Sequence, residues 1–160
     1  MAEPSFTELC KSNEQNITLK VGPWGGSGVS AFDFGESDQV IKKVVVYSGD
    51  VVDSLEISYY TDKPNVFESY PVGGPGGGPN ECPLSQGEYI NNIFGSVNGY
   101  DNEICVTEIG FETNLEKKYG PFGKGGGEKF SIPVVNGRIV GFFGQYNKYI
   151  NGIGVSLALN

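Results

Sequence analysis

The chain carries three glycine-rich segments at regular spacing, and their repetition dictates the architecture. Residues 22–28 read GPWGGSG, residues 73–79 read GGPGGGP, and residues 120–127 read GPFGKGGG. These segments begin 51 and then 47 residues apart, and apolar, β-branched stretches follow each of them. A fixed period of this length is typical of architectures built from repeated units. The sequence therefore predicts three similar units, each with its own glycine-rich loop.

The stretches between the glycine-rich segments have the pattern of β-strands. Leu55, Ile57 and Tyr59 alternate with polar residues, which is the period of a half-buried strand. Short strands bounded by Gly and Pro predict an all-β domain, and no stretch has a convincing helical period. A unit of about 50 residues has room for four strands. Because one small sheet cannot bury its inner face alone, we expect three sheets packed about a pseudo-threefold axis. The predicted strands include residues 40–47, 54–59, 89–94, 105–111, 138–143 and 153–159.

Length and charge limit the classes of partner. The 160 residues suit one domain, predicted at residues 16–160 and preceded by a loosely ordered extension at 1–15. A formal net charge of −8 disfavours nucleic acid and anionic membranes as partners. No signal peptide is visible, and the three scattered cysteines do not form a disulfide framework. We therefore expect a cytoplasmic or nucleocytoplasmic location.

Catalysis is not expected from this composition. The chain has no histidine, which removes His-based triads, most zinc sites and the commonest general base. Cys10, Cys82 and Cys105 do not have metal-ligand spacing. A hydrolase built on Asp50 and Asp53 is a weaker hypothesis, because two acids on one tight loop lie on the same side of any sugar. The sequence therefore predicts a protein that is not an enzyme and needs no metal or cofactor.

The loop at residues 49–53 is the strongest candidate for a binding site. Asp53 shares strand parity with Leu55, so its carboxylate faces the apolar side and needs hydrogen-bond donors. Gly49 is expected to adopt a positive φ that directs the following backbone N–H groups into one concavity. A carboxylate facing converging N–H groups suits the vicinal hydroxyls of a sugar. Asp53 could instead cap its own turn, and the spacing alone leaves both interpretations open.

Taken together, these segments resemble the jacalin-related lectins, most closely their mannose-binding branch. The resemblance runs from about Ile17 to Leu159 and implies a β-prism I fold of three four-stranded Greek-key sheets. It also implies binding of mannose- or glucose-containing glycans without metal or catalysis, and we expect a homo-oligomer, either a dimer or a tetramer. The blocks that carry it are GPWGG at 22–26, SAFD at 30–33, GDVVD at 49–53, GEY at 87–89, FETN at 111–114, YGPFG at 119–123 and GFFG at 141–144.

The resemblance also implies which residues hold the sugar in the first repeat. The motif of the family is Gly-x-x-x-Asp, joined by a glycine from a neighbouring glycine-rich loop. Backbone N–H groups after the first glycine, the Asp carboxylate and the neighbouring N–H hold the ligand. The first repeat has every element, namely Gly49, Asp50, Val51, Asp53 and Gly77.

The third repeat departs from that motif, and the second lacks its acid. Asn147 stands at the motif glycine, Asn151 at the aspartate, and Val29 at the partner glycine, with Lys148 and Tyr149 between the two asparagines. An amide offers one acceptor oxygen and no charge, so weakened or altered binding is predicted there. The second repeat has Thr107 at the acid position and is not expected to bind.

Two further alternatives remain open at the level of sequence. Trp24, Tyr146 and Tyr149 either stack on a sugar or pack against other side chains. The departures in the third repeat also suit a protein-interaction module that keeps the fold with reduced or lost sugar binding.

Overall fold

The computed structural model describes residues 18–160, which form twelve β-strands paired antiparallel. The predicted all-β class is confirmed, whereas the extension at 1–15 and the domain start at 16 lie outside the described residues. Within residues 18–160 there is no helix long and apolar enough to cross a membrane. The strands are β1 (Thr18–Gly25), β2 (Ser30–Phe34), β3 (Ile41–Ser48), β4 (Val52–Tyr60), β5 (Phe67–Gly73), β6 (Gly78–Pro83), β7 (Ile90–Tyr100), β8 (Glu103–Thr113), β9 (Lys118–Phe122), β10 (Glu128–Pro133), β11 (Gly137–Tyr146) and β12 (Ile150–Leu159).

The strands pair in three groups of four. The orders are β5-β4-β3-β6, β9-β8-β7-β10 and β1-β12-β11-β2, and in each the fourth strand returns beside the first as in a Greek key. The sequence predicted three separate sheets. In the structure the last two groups are joined by a single residue pair, Ile139 and Ile90. The result is one eight-stranded and one four-stranded sheet.

Each group combines strands from two different repeats. The hairpin β3–β4 pairs with β5 and β6, the strands that flank the next glycine-rich segment. The hairpin β11–β12 pairs with β1 and β2 from the start of the chain, so the first and last strands lie side by side. Every inner hairpin loop is therefore placed beside the glycine-rich loop of another repeat.

Most of the core comes from inward-facing side chains of the hairpins β3–β4, β7–β8 and β11–β12, with smaller contributions from the outer strands. The predicted alternation on β4 is confirmed, since Leu55, Ile57 and Tyr59 are all fully buried. Phe111 and Phe142 meet edge to face with their ring centroids 5.9 Å apart, which joins β8 to β11. The other large fully buried side chains are Ile90, Ile93, Ile109, Ile139, Ile150, Ile153 and Val44.

Two aromatic residues that were candidates for sugar stacking pack within the protein instead. The ring of Trp24 stacks on Phe130 with centroids 5.2 Å apart and planes 11° from parallel. The ring of Tyr146 lies 6.2 Å from that of Phe32. Both residues are packed against the core, so packing is the interpretation that holds for them.

A buried hydrogen bond links the four-stranded sheet to β11. The Tyr59 hydroxyl donates to the carbonyl of Val140 at 2.8 Å. Val140 lies where the pairing of β11 with β12 shifts register, between Ile139 and Gly141. Burial raises the pKa of Tyr59 well above its usual range, so the hydroxyl keeps its proton as a donor.

Removing this hydroxyl tests its contribution to stability. Tyr59→Phe keeps the ring but leaves the buried Val140 carbonyl without this donor, and we expect the free energy of unfolding to fall by about 1–2 kcal/mol. The neighbouring Tyr60 is 41% exposed, and Tyr60→Phe should change it by less than about 0.5 kcal/mol. Urea denaturation followed by intrinsic fluorescence measures both, and equal effects would contradict the role of the bond.

Candidate functional site

A surface depression of about 460 Å³ surrounds the loop at 49–53. It brings together four of the predicted site residues, Gly49, Asp50, Asp53 and Gly77. The fifth, Val51, is fully buried and does not line the depression. The remaining lining residues are Pro75, Gly76, Tyr100, Lys148 and Tyr149.

The carboxylate of Asp53 lies against the backbone of the glycine-rich loop. Asp53 is only 7% exposed. A Cβ atom added at Gly76 would come within 2.6 Å of its Oδ2, and one added at Gly77 within 2.8 Å of its Oδ1. Only glycines leave room for the carboxylate at these two positions. Gly76 was not among the site residues predicted from the sequence.

No donor within residues 18–160 hydrogen-bonds the Asp53 carboxylate. The side-chain hydrogen bonds of the loop involve Asp50 instead, and Asp53 does not cap its own turn. The backbone N–H groups of Asp50, Val51 and Gly77 likewise donate to no acceptor in the described part of the chain. The Asp53 carboxylate and the N–H groups of two other lining residues, Asp50 and Gly77, therefore have no partner in the described part of the chain.

The role predicted for Gly49 in shaping this loop is wrong. Its φ lies outside the left-handed region. The turn is closed instead by a hydrogen bond from the Gly49 N–H to the Val51 carbonyl at 3.0 Å. A Cβ added at Gly49 would meet no protein atom within 4 Å, so the space beside it is open.

Asp50 is held by residues of the two other repeats. Its carboxylate accepts hydrogen bonds from Lys124 Nζ at 2.6 Å and from the Tyr100 hydroxyl at 2.9 Å. Its backbone carbonyl accepts from the Lys124 N–H at 3.2 Å. These contacts fix the peptide whose N–H groups border the depression.

The two acids of the loop have opposite electrostatic environments. The hydrogen bonds from Lys124 and Tyr100 lower the pKa of Asp50, and the positive charge of Lys124 adds to the effect. Burial raises the pKa of Asp53, and the neighbouring charge of Asp50 raises it further. A carboxyl group with a raised pKa and no hydrogen-bond donor in the described residues is typical of a ligand-binding site.

The corresponding loop of the third repeat is closed by its own side chains. The Asn147 Oδ1 accepts the backbone N–H of Val29 at 2.6 Å, and its Nδ2 donates to Glu103 Oε1 at 2.5 Å. The N–H predicted to meet a ligand there is therefore already bonded, although Val29 itself is 94% exposed.

Asn151 is also occupied by the protein. It is fully buried, and its Nδ2 donates to the carbonyl of Ile104 at 2.9 Å. Its Oδ1 is buried without a partner in the described part of the chain. Two of the remaining predicted residues of this loop, Lys148 and Tyr149, line the depression around Asp53 instead.

The second-repeat loop is tied up in the same way. The Thr107 hydroxyl lies 2.7 Å from that of Ser96 and donates to the Gly126 carbonyl at 2.9 Å. The Gly125 N–H donates to the Thr107 carbonyl at 3.1 Å. These bonds close this loop onto its glycine-rich neighbour.

The tip of the β7–β8 hairpin explains how the three loops differ. Tyr100 reaches Asp50 in the first repeat, while Asp101 accepts from the Tyr149 hydroxyl at 3.1 Å. Glu103 and Ile104 bind the two asparagines of the third repeat. The same hairpin tip therefore borders the open depression of the first repeat and bonds to the polar side chains of the third-repeat loop. None of these contacts of the hairpin tip was predicted from the sequence.

Restoring the motif acid in the third repeat should destabilise the protein. Asn151→Asp replaces the donor to the Ile104 carbonyl with an oxygen in a fully buried position. We expect a loss of at least ~2 kcal/mol in unfolding free energy at neutral pH. The loss should shrink in acid, where a protonated carboxyl can donate again.

The matched control is the reverse exchange in the first repeat. Asp53→Asn removes a buried charge that has no protein donor, so it should leave the stability of the free protein unchanged or raise it. Chemical denaturation at two pH values measures both variants. Equal destabilisation by the two changes would contradict the difference between the loops.

Comparison with known proteins gives the same family throughout. The family described as "Jacalin-like lectin domain" matches residues 21–156. A mannose/glucose-specific lectin of Parkia pendula is 32% identical over 153 residues, which cover 91% of this chain and 33% of that protein. Horcolin of Hordeum vulgare is 31% identical over 140 residues, which cover 85% of this chain and 94% of horcolin. The chain thus spans only about a third of the Parkia lectin, although it spans nearly all of horcolin.

Solved structures agree with these relatives. A wild-type Malaysian banana lectin superposes with a TM-score of 0.82 at 38% identity, covering 90% of this chain and all of that one. The Calsepa lectin, solved in complex with a biantennary N-glycan, gives a TM-score of 0.81 at 28% identity, covering 90% and 98%. The chain belongs to the jacalin-like lectin domain family.

Proposed function

We propose that this chain is a lectin that binds mannose- or glucose-containing glycans at the first-repeat loop, without metal and without catalysis. The observation that carries the proposal is the nearly buried Asp53 carboxylate, which has no donor within residues 18–160 and lies beside N–H groups that are likewise unbonded there. A pair of sugar hydroxyls satisfies both kinds of group, since each hydroxyl donates to the acid and accepts from an amide. The names of the Parkia lectins and the glycan complex of Calsepa support the same ligand class.

Charge at the site favours a neutral polyhydroxyl ligand. Asp50, Asp53 and Lys148 border the depression, Asp50 is paired with Lys124, and the chain carries a formal net charge of −8. A phosphate bound by the loop would meet the unpaired Asp53 carboxylate with like charge. A neutral sugar avoids this repulsion and brings the missing donors.

We propose one sugar site for each chain. In the other two loops the equivalent groups are already bonded, because Asn147 accepts the N–H of Val29 and Thr107 donates to the carbonyl of Gly126. A single site of this kind binds weakly, and the homo-oligomer predicted from the sequence would raise the avidity for branched glycans. The oligomer and the cytoplasmic location remain predictions.

Titration calorimetry with methyl α-mannoside and methyl α-glucoside tests the site. We expect one site per chain, and Asp53→Asn should weaken binding at least about tenfold, because a charged acceptor is replaced by an amide. Asp33→Asn is the matched control, since Asp33 is an exposed acid paired with Lys20 on another sheet, and it should bind normally.

Other outcomes of the titration would assign the chain differently. A stoichiometry of two would mean that the third-repeat loop opens to ligand. No heat with the native protein, together with a blank glycan array, would favour the interaction module suggested by the closed third-repeat loop.

The affinity should depend on pH through Asp53. Sugar hydroxyls donate to the ionised carboxylate, so affinity should fall as the pH drops through the pKa of Asp53. That pKa is raised by burial and by Asp50, so the midpoint should lie above the ordinary value of 3.8. Below it the loss approaches about tenfold per pH unit.

The sign of the stability effect separates binding from unfolding. A carboxyl whose pKa is raised in the folded state stabilises the fold most below its unfolded pKa, and this stability is lost as the pH rises. Protonation of Asp53 therefore does not unfold the free protein. Circular dichroism at each pH checks that the free protein stays folded. Because the charge of Asp50 raises the pKa of Asp53, Asp50→Asn should move the midpoint of the affinity curve to lower pH. A midpoint at or below 3.8 in the native protein would contradict the assignment.

A further inference from the structure

The sequence contains three Asn-Gly pairs, and the structure holds each of them differently. They are Asn98-Gly99 near the tip of the β7–β8 hairpin, Asn136-Gly137 at the start of β11, and Asn151-Gly152 in β12. An asparagine before glycine is chemically reactive, because glycine has no Cβ to shield its peptide nitrogen and lets the backbone reach the conformations that ring closure needs. The fate of each pair therefore depends on its exposure and on the backbone around it.

The side chain of Asn98 lies against the nitrogen that would attack it. The Gly99 N–H donates to Asn98 Oδ1 at 2.9 Å, and the carboxamide carbon is one C=O bond, about 1.23 Å, from that oxygen. Both residues are exposed, so water reaches them. Nucleophile and carbon are already close together, which is the proximity that accelerates intramolecular reactions.

The pairing of the strands leaves the Gly99 nitrogen free of both neighbours of β7. The hairpin closes through the turn at Asp101–Asn102, and the pair next to this turn is the hydrogen-bonded one. The N–H of Gly99, at the following pair, therefore points away from β8. On the other side, β10 pairs with β7 only as far as Val97. The nitrogen can thus leave its hydrogen bond without breaking one between strands.

The other two pairs lack this combination of contact and exposure. Asn151 is fully buried and its Nδ2 donates to the carbonyl of Ile104, while Gly152 pairs with both β1 and β11. Asn136 is exposed, but the Gly137 that supplies the nitrogen is buried. The three pairs are therefore matched in sequence and differ in their surroundings.

From this geometry we propose that Asn98 is a site of spontaneous covalent modification, at which asparagine is converted to isoaspartate and aspartate. The Gly99 nitrogen bonds to the carboxamide carbon of Asn98 as the Cγ–Nδ2 bond breaks, and ammonia leaves with the proton of the Gly99 N–H. Water then adds to either carbonyl of the resulting succinimide ring. Opening at the peptide carbonyl gives isoaspartate, and opening at the side-chain carbonyl gives aspartate.

The modified residue lies beside a contact of the first-repeat loop. Tyr100 follows Gly99 directly, and its hydroxyl donates to Asp50 at 2.9 Å. Isoaspartate carries the main chain through the side-chain carbon and so lengthens the backbone of β7, whereas aspartate adds only a negative charge. Conversion to isoaspartate is therefore positioned to shift Tyr100 relative to Asp50. The reaction itself does not depend on whether the protein binds sugars.

Mass spectrometry of peptides from aged protein tests the proposal. The folded protein is incubated in mildly alkaline heavy-oxygen water and digested in ordinary water, so the label excludes conversion during digestion. We expect Asn98 to convert at least about tenfold faster than Asn151. A methyltransferase specific for isoaspartate measures that product. The urea-unfolded chain, in which the pairs lose their different surroundings, should convert all three at similar rates.

Two variants locate the reaction at this pair. Gly99→Ala places a Cβ beside the nitrogen and should slow conversion at least about tenfold. The change fits the fold, because the nearest atom to that Cβ would be 3.9 Å away. Asn98→Gln keeps a carboxamide but needs a larger ring, so conversion at this position should be lost. The rate at Asn136 should be unchanged in both variants.

Each contrary outcome is distinct. No conversion of Asn98 in the folded protein, over a time in which the unfolded chain converts, would overturn the proposal. Equal rates at Asn98 and Asn151 in the folded protein would overturn the role of the geometry. An unchanged rate in Gly99→Ala would show that the Gly99 nitrogen is not the nucleophile.

Discussion

The pairing of the first strand with the last is the constraint on which the remaining structure depends. Thr18–Gly25 runs antiparallel along Ile150–Leu159 and completes the third group of four strands. Without it, β12 would expose an unpaired edge. The same pairing brings the glycine-rich loop at 22–28 beside the third-repeat loop, where the Gly26 N–H donates to the Asn151 carbonyl at 2.8 Å. The strand pairing that closes the fold therefore also places these two loops side by side.

One backbone arrangement supports three different loop chemistries. In each group a hairpin loop lies beside a glycine-rich loop from another repeat, so every loop has N–H groups and a motif position close together. Side chains then decide which loop stays open. Asn147 and Thr107 bond to their neighbouring glycine-rich loops, whereas Asp53 does not. The longer β7–β8 hairpin adds to the asymmetry, because its tip reaches both the open loop and the closed one.

The sequence predicted the features that depend on local pattern and missed those that depend on contacts between repeats. Alternation on β4 placed Leu55 and Tyr59 in the core and put Asp53 on the same side. The shape of the turn at Gly49 was wrong because its closing bond, to the Val51 carbonyl, needs no positive φ. Tyr149 was assigned to its own loop, yet it lines the neighbouring depression, since that surface is formed only when the first and third repeats meet. No period or motif in a single repeat carries that information.

The contrast between Asp53 and Asn151 indicates why only one loop is kept open. Both side chains are nearly or fully buried, and each has an acceptor oxygen without a protein donor. For the neutral amide the cost is modest, and the bond from its Nδ2 to Ile104 offsets part of it. The free-energy cost of burying the ionised carboxylate is larger, and it raises the pKa of Asp53. No side-chain hydrogen bond within the described residues offsets this cost. A ligand that donates hydrogen bonds to this carboxylate supplies the missing bonds only in the complex. This difference between the free and the bound protein stabilises the complex. Burial without a partner in the described residues weakens the free protein, and under the proposed function the same burial would give the first-repeat loop its affinity for hydroxyl donors.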